Sequence, residues 1–598
     1  MSNRVSNEND IVRFSNSPNV PLNENNNTDN LKENNKTKFI LISIFILSIL
    51  ILAVIIIFII IKLKDKNNNE ERRWLKNTIK ATYEIKNSNS TVNFFNKKYD
   101  NVSEYIESMK LNGNIINNTY NYLFNSTGNY TLEINFKKQL ITAEEMFKYC
   151  SELIEIDLTE LNTGIVENMS DMFYGCHNLK YINIQNIYAP KLKKIDGLFS
   201  GCNSLISIDL SSFKANNLED ISRLFEQCTN LVDININNFD SLKINNMYFS
   251  FSRCTSLISI NLNNFKSSNV RNMYGLFYLC TSLKDLDIIN LDTSQVTTMA
   301  NMFYRCSSLT SLNLNSFNTS KVQKMHLMFA ECISLISLNL KSFKTTNVDE
   351  MQFMFMRCDN LISLDLSSFV TTNAINMGGM FQDCFSLKFL DVSNFNTSNA
   401  QHMIYMFGGC HSLTSLDISH FDTSKVEMMY GMFCNCKSLN KIEVKNFNTS
   451  KVNNMAYMFK GCNKITSLSL NNFDTSKVTT MTKMFEGAEY LTSLDLNNFN
   501  TSIVTDLSYM FNNCSSLSSI ILNNFNTQSI KYISYLFHNC SSLNYIDISS
   551  FIISNETEYI NVFNNTSKEG NIIFNSSNLY DEFIDTFPNN WDRIDINE

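Results

Sequence analysis

Cysteine stands at positions 150, 176, 202, 228, 254, 280, 306, 332, 358, 384, 410, 436 and 462, then at 514 and 540, so that every interval is 26 residues or twice that. The one skipped slot holds Ala488. Three residues before each slot a phenylalanine recurs without a gap from Phe147 to Phe563, through Phe173, Phe329, Phe407 and Phe485. A strict period over this length is the signature of a stack of like units, each contacting only its neighbours. It also removes the usual inference from length, because repeats extend one core rather than adding several.

The unit from Cys306 to Glu331 shows the logic. Leu312 and Leu314 alternate with polar Ser311, Asn313 and Asn315, the period of two that marks a short strand with one face buried. Phe317 follows, then a polar turn, Asn318-Thr319-Ser320. Val322, Met325, Met328 and Phe329 recur at spacings of three and four, which predicts one or two helical turns. Neither half buries its apolar face alone, so the coils must stack. The expected fold class is an α/β repeat solenoid of 26-residue strand–turn–short-helix coils, preceded by a single transmembrane helix.

The strand half, with Leu309, Leu312 and Leu314, resembles the leucine-rich repeat pattern L-x-x-L-x-L. It departs at the next position, where the usual Asn or Cys is replaced by Phe213, Phe239, Phe265, Phe317 or Phe343. A stacked Phe spine is therefore expected where an Asn ladder would run. The fuller pattern, in Met403 through Cys410 and Leu413 through Ser424, resembles the BspA-like leucine-rich repeat surface proteins over about residues 140–565. That resemblance implies a cell-surface location and adhesion to host or matrix proteins. It names neither ligand nor contact residues.

An uninterrupted apolar run from Phe39 to Ile61 lies between Lys38 and Lys62. At ~1.5 Å per residue it spans a hydrocarbon core of ~30 Å, and it is longer and further from the start than the apolar region of a signal peptide. The expected organisation is a polar, disordered tail (1–38), the anchor (39–61), a juxtamembrane stalk (62–91) holding Trp74, an N-terminal cap (92–146) with a strand at Thr131–Phe136, the solenoid (147–563) and a C-terminal cap (564–598) with Pro588 and Trp591. Orientation has two readings. Lys62, Lys64, Lys66, Arg72, Arg73, Lys76 and Lys80 outnumber Lys32, Lys36 and Lys38, and the positive-inside rule then puts the repeats in the cytoplasm; the family resemblance puts them outside. Asn-x-Ser sequons recur at Asn318, Asn396, Asn448 and Asn500. A chain this rich in Asn, Ser and Thr produces about as many by chance, so they permit a secreted location without establishing it.

The Cys ladder, including Cys176, Cys306, Cys410 and Cys462, is the most conspicuous candidate chemistry. Metal binding needs Cys pairs at short spacing or nearby His, and only Cys434 and Cys436 come close. Disulfides between adjacent coils are geometrically conceivable, yet Ala488 interrupts the ladder and leaves both neighbouring slots intact. The ladder therefore reads as buried free thiols in a tight apolar position, with Cys434 outside it expected to be exposed and reactive. A second candidate is the exposed strand face, where Asp209, Asp287, Asp365, Asp391, Asp417, Glu443 and Asp495 share one position of their coils with Asn at many others. Stacked carboxylates repel unless solvated, cation-bound or met by a basic partner. A solvated face and a stripe for Ca²⁺ or a basic protein surface both remain open. Two residues earlier the position is mostly Ser, broken by Tyr181, Phe389, Lys441 and Tyr545; the aromatics are candidate binding anchors, although scattered apolar surface residues are ordinary.

A net charge of −8 without a basic stripe argues against nucleic acid. The six His residues fall at different places in their repeats, and no phosphate-cradling loop or nucleophile elbow is present. No catalytic set is proposed, and no cofactor is expected beyond the Ca²⁺ reading. The Met stripe, Met325 to Met481, reads as core packing. The expected function is that of a cell-surface, membrane-anchored protein for adhesion or recognition, binding protein or glycan through a concave strand face. The alternative is a membrane-tethered cytoplasmic scaffold.

Overall fold

In the computed structural model, which describes residues 48–59 and 77–597 other than 186, 238, 240 and 241, the chain divides into two compact units, Met1–Leu75 and Lys76–Glu598. In the first, residues 48–59 form an α-helix with every side chain exposed. These residues fall within the expected anchor, mostly in its second half. Its remaining residues, the tail, and the stalk as far as residue 76 with Trp74 lie outside the described residues. Among the described residues no helix is long and apolar enough to cross a membrane.

The second unit opens with a strand where a stalk was expected. In β1 (Thr78–Ile85) Ile79, Ala81, Tyr83 and Ile85 are all buried; the charged residues between and after them, Lys80, Glu84 and Lys86, mask that alternation in the sequence. The cap therefore begins at Thr78 rather than at 92. It continues through β2 (Ser90–Asn93), β3 (Ile106–Leu111), β4 (Asn114–Ile116), β5 (Asn121–Phe124) and β6 (Gly128–Phe136), which contains the expected strand. The first two coil strands are β7 (Leu153–Asp157) and β8 (Tyr181–Asn183), and the sheet order is β4-β3-β6-β1-β7-β8. β1 runs antiparallel between β6 and β7, so it pairs a strand edge that would otherwise offer unmet N–H and C=O groups. At the other end, Gly570–Phe574 lies parallel on Tyr545–Asp547, and Trp591–Asp595 lies on Gly570–Phe574. Trp591 is buried and its indole donates to the Ser567 carbonyl at 2.9 Å.

Among the described residues the coils hold no helix, which corrects the expected strand–turn–short-helix unit. After Val322 the chain takes a succession of tight turns. Met328, Ala330 and Cys332 donate their N–H to the carbonyls of Met325, Leu327 and Phe329, three residues back. The N–H groups of Met325, Leu327, Phe329 and Glu331 instead donate to Glu350, Gln352, Met354 and Met356 of the next coil, at 2.6–3.0 Å. Alternate amides thus serve the turn and the stack. The geometry requires left-handed residues at Leu327 (φ 57) and Glu331 (φ 58), and at equivalent positions in the other coils. Each non-glycine residue held there costs on the order of 1 kcal/mol, offset by the inter-coil bond that the same residue donates. Where the slot is glycine a second reason shows: a Cβ on Gly431 (φ +59) would lie 2.3 Å from the Tyr405 ring of the preceding coil.

Spacings of three and four, which suggested helix, arise here from four-residue turns whose apolar members all point inward. Val322, Met325, Met328, Phe329 and Cys332 are buried. The Phe ladder is a continuous stack from Phe147 to Phe563, with neighbouring ring centroids 5.5–5.9 Å apart. The caps extend it: Phe95 stacks on Phe147 at 5.5 Å, and Phe583 and Phe587 close on Phe563.

The expected second Phe spine forms in runs, Phe213–Phe239–Phe265 and Phe317–Phe343–Phe369 among them. The hydrogen bonding that an Asn ladder would supply comes from a buried threonine two residues later. Thr423 Oγ1 donates to the Asn448 carbonyl at 2.9 Å and accepts the Asn448 N–H at 2.7 Å. Thr319, Thr345, Thr475 and Thr527 make the same pair of bonds to their following coils. Replacing Thr423 by Val keeps the shape but leaves the Asn448 N–H and C=O unmet, and should cost about 2–3 kcal/mol. Thr423→Ser keeps both bonds and loses only a methyl group, about 1 kcal/mol. Urea denaturation followed by circular dichroism distinguishes them; equal midpoints for Val and Ser would remove the ladder from the account.

Candidate functional site

The strand face is built from segments of two to five residues, paired only locally: Ser259–Asn261 with Asp285–Asp287, Ser363–Leu364 with Phe389–Leu390, and Ser415–Leu416 with Lys441–Ile442. Between residues 311 and 315 no strand forms. Parallel bridges on the turn side, by contrast, run unbroken from Thr142 to Glu558 through Lys194, Lys324, His402 and Asp506. The coil-to-coil register is therefore carried by the turn side, and the strand side chains are free of that task.

Of the acidic column, Asp287, Asp365, Asp391, Asp417 and Asp495 are exposed, while Asp209 and Glu443 are half-buried. A carboxylate oxygen of Asp209, Asp365, Asp391, Asp417 and Asp495 accepts the backbone N–H two residues on, from Ser211, Ser367, Ser393, Ser419 and Asn497, at 2.9–3.1 Å. Asn261 and Asn313 use their amide oxygens in the same way. The column is a series of Asx turns, which explains why Asp and Asn interchange within it. Hydrogen bonds from Ser367 hold Asp365 below the usual carboxylate range, with Lys341 3.6 Å away as a smaller cause. Bonds from Ser393 and Ser419 do the same for Asp391 and Asp417. Asp287 accepts from the Asn263 amide. Glu443 lies outside the pattern and pairs with Lys441 at 3.1 Å. Among the described residues no group of three His, Cys, Asp or Glu is placed to hold a metal ion.

Phe389 is 68% exposed and Tyr181 63% exposed, whereas Tyr545 is half-buried. Tyr181 and Phe389 stand many coils apart, so the structure does not gather the three into one site. It does place exposed Ile336 and Ile362 in the two coils before Phe389, and exposed Ile206, Val232 and Ile258 in three successive coils. These aliphatic residues follow the first leucine of the repeat pattern, Leu205, Leu231, Leu257, Leu335 or Leu361. Their signal in the sequence was an apolar residue at a position the repeat pattern leaves open, easily read as more core.

The thiols are core. Cys176, Cys306, Cys410 and Cys462 are wholly buried, and each Sγ donates to a Phe carbonyl of the preceding coil at 3.0–3.2 Å. Every cysteine is free. Cys434 corrects the expectation of an exposed, reactive group: it is 5% exposed, and burial pushes its thiol up to about 11. That is the wrong direction for a nucleophilic thiolate.

Two family models match the chain. The family described as "Mycoplasma protein of unknown function, DUF285" matches residues 141–259, 193–308, 245–364, 284–389, 354–469 and 464–576. A BspA type leucine rich repeat region (6 copies) matches residues 77–196. The chain is similar to a leucine-rich repeat protein from Bacteroides ovatus, 18% identical over 80% of this chain and 90% of that one, with a TM-score of 0.28. It is also similar to a chain in the crystal structure of a TLR13–ssRNA13 complex, 15% identical over 72% of this chain and 87% of that one, with a TM-score of 0.15. No curated protein matches it significantly.

The Asx role has a pH signature. A carboxylate held below its ordinary value contributes stability that is present above the unfolded value and lost as pH falls through the folded one. The triple variant Asp365→Asn, Asp391→Asn, Asp417→Asn should keep the neutral-pH unfolding midpoint, since an amide oxygen also caps the turn. It should lose less stability than the parent between about pH 4 and pH 2. The corresponding triple Ala variant should lower the midpoint already at neutral pH. Thermal unfolding at both pH values reads this directly, and identical neutral midpoints for Asn and Ala would show that the caps contribute nothing.

Proposed function

Because the chain belongs to the DUF285 family and carries a BspA type leucine-rich repeat region, we propose that it is a membrane-anchored recognition protein whose solenoid faces outward at the cell surface and binds protein or glycan along its strand face. The observation that carries this reading is Phe389, a large aromatic left 68% exposed, with exposed Ile362 and Ile336 one and two coils before it, on a face whose side chains are not needed to hold the coils in register. An aromatic anchor with aliphatic neighbours and a polar surround is the composition of a binding hot spot. A long stack suits the role because many modest contacts add along it. The apolar run Phe39–Ile61 is the anchor in this reading, and no enzymatic family is indicated by the matches.

The acidic column takes a smaller part than the sequence suggested. Asp209, Asp365, Asp391, Asp417 and Asp495 cap turns, and the column lends the face negative charge. The net charge of −8 disfavours a nucleic-acid partner. A second reading, a membrane-tethered cytoplasmic scaffold, is favoured by the basic residues Lys62, Lys64, Lys66, Arg72, Arg73 and Lys76 that follow the apolar run.

External protease on intact cells separates the two: the outward reading expects loss of the repeats, and full protection would replace it with the scaffold reading. For the binding face, adhesion of the full-length protein to an array of immobilised matrix proteins and glycans should weaken in Phe389→Ala by about 2 kcal/mol, roughly 30-fold. Tyr509→Ala, on the turn side, should leave adhesion unchanged. Equal adhesion for the parent and Phe389→Ala would remove this patch from the function.

A further inference from the structure

In seven coils the turn after the strand position reads Asp/Asn-Thr-Ser, at 292, 318, 396, 422, 448, 474 and 500, and this composition meets three physical demands. Its first residue caps the turn through a side-chain oxygen, its second is the buried ladder threonine, and its third is a serine whose N–H is capped. Asp292, Asp422 and Asp474 meet the first demand at 2.9 Å from the N–H of Ser294, Ser424 and Ser476. Asn318, Asn396, Asn448 and Asn500 meet it equally, at 3.0–3.1 Å from Ser320, Ser398, Ser450 and Ser502. Where the cap is Asn rather than Asp, the same triplet is an acceptor for N-glycosylation.

In all four the asparagine is exposed, and the cap uses only its oxygen. Its Nδ2 makes no hydrogen bond among the described residues. The amide nitrogen is thus available at no cost to the turn. Two other acceptor triplets differ. Asn539, in Asn539-Cys540-Ser541, donates its Nδ2 to Asn513 at 2.9 Å, and Asn565, in Asn565-Thr566-Ser567, donates to Asn539 at 2.8 Å. A glycan on either would displace a rung of an inter-coil amide ladder.

We propose that Asn318, Asn396, Asn448 and Asn500 are N-glycosylation sites, forming a row of glycans along the turn that follows the strand. The proposal rests on the outward-facing reading. The transferred group is an oligosaccharide from a lipid diphosphate carrier: the bond from its first sugar carbon to the diphosphate oxygen breaks, a bond from that carbon to Nδ2 forms, and the amide gives up one proton. Nothing is oxidised or reduced. At about 4.8 Å per coil the sites stand roughly 14, 10 and 10 Å apart. The row occupies the turn, seven residues on from Phe389 in the case of Asn396, and not the positions of Ile336, Ile362 and Phe389.

The test is glycopeptide mass spectrometry of the full chain from a glycosylating secretory host, before and after peptide N-glycosidase. Occupancy at the four asparagines, with Asn539 and Asn565 bare, is the expected result. Replacing all four by Asp, which the same slot already accepts at 292, 422 and 474, should abolish the part of the glycosidase-sensitive mobility shift due to these sites and leave the unfolding midpoint unchanged. If cap acceptors such as Asn101 and Asn125 are occupied while the four are bare, the proposal fails and the outward reading stands. If no acceptor anywhere is occupied, the outward reading fails and takes the proposal with it. Occupancy at Asn539 or Asn565 in folded protein would overturn selection by a free amide.

Discussion

A backbone N–H donated from every second residue of one coil to the carbonyl of the next is the interaction on which the rest of this molecule depends. It operates along the Met–Phe segment, in the turns, where Met325, Leu327, Phe329 and Glu331 reach Glu350, Gln352, Met354 and Met356. To present those N–H groups sideways the chain accepts left-handed residues four apart, even at Leu327, Phe353 and Tyr405, where glycine would be less strained. The Phe stack fills the space beneath, and the threonine ladder ties the opposite turn to the next coil. Phe95 at one end and Phe583 with Phe587 at the other finish the stack with cap residues, so that neither terminal ring meets water.

A division of labour follows. Because register is fixed by the turns, the strand side keeps only short, intermittent pairing, and its outward positions accept Ser, Lys, Tyr, Ile or Phe without penalty to the stack. Variation there is inexpensive in stability, and a surface that varies cheaply can be fitted to a partner. The Asp and Asn of the neighbouring column illustrate the converse. They look like a recognition stripe, yet their oxygens are committed to the backbone N–H two residues on, and either residue serves.

Much of this was legible in the sequence, and the exceptions have physical causes. The period, the stacking Phe and Cys positions and the strand alternation all express simple burial, which a linear pattern records well. The short helix was misread because four-residue turns with inward apolar members generate spacings of three and four, just as a helix does. The threonine ladder was hidden because Thr319 stands between Asn318 and Ser320, and a polar triplet reads as solvent-facing when its middle member is in fact fully buried. In β1, Lys80 and Glu84 obscured the alternation of Ile79, Ala81, Tyr83 and Ile85. Cys434 was read as exposed because it breaks the period, although an off-period residue can still pack inward. Exposed Ile336 and Ile362 went unremarked because hydrophobicity alone does not tell whether a side chain beside a core leucine turns inward or outward.

The central claim is that the turn side, not the strand side, holds the coils together. Hydrogen exchange on the full-length protein, read by mass spectrometry at single-coil resolution, tests it most directly. The amides of residues 325–332 should exchange more slowly than those of 311–315 in the same coil, and the same order should hold between 403–410 and 415–419. Slower exchange on the strand side, or equal exchange on both, would contradict the account and return the register to the strands.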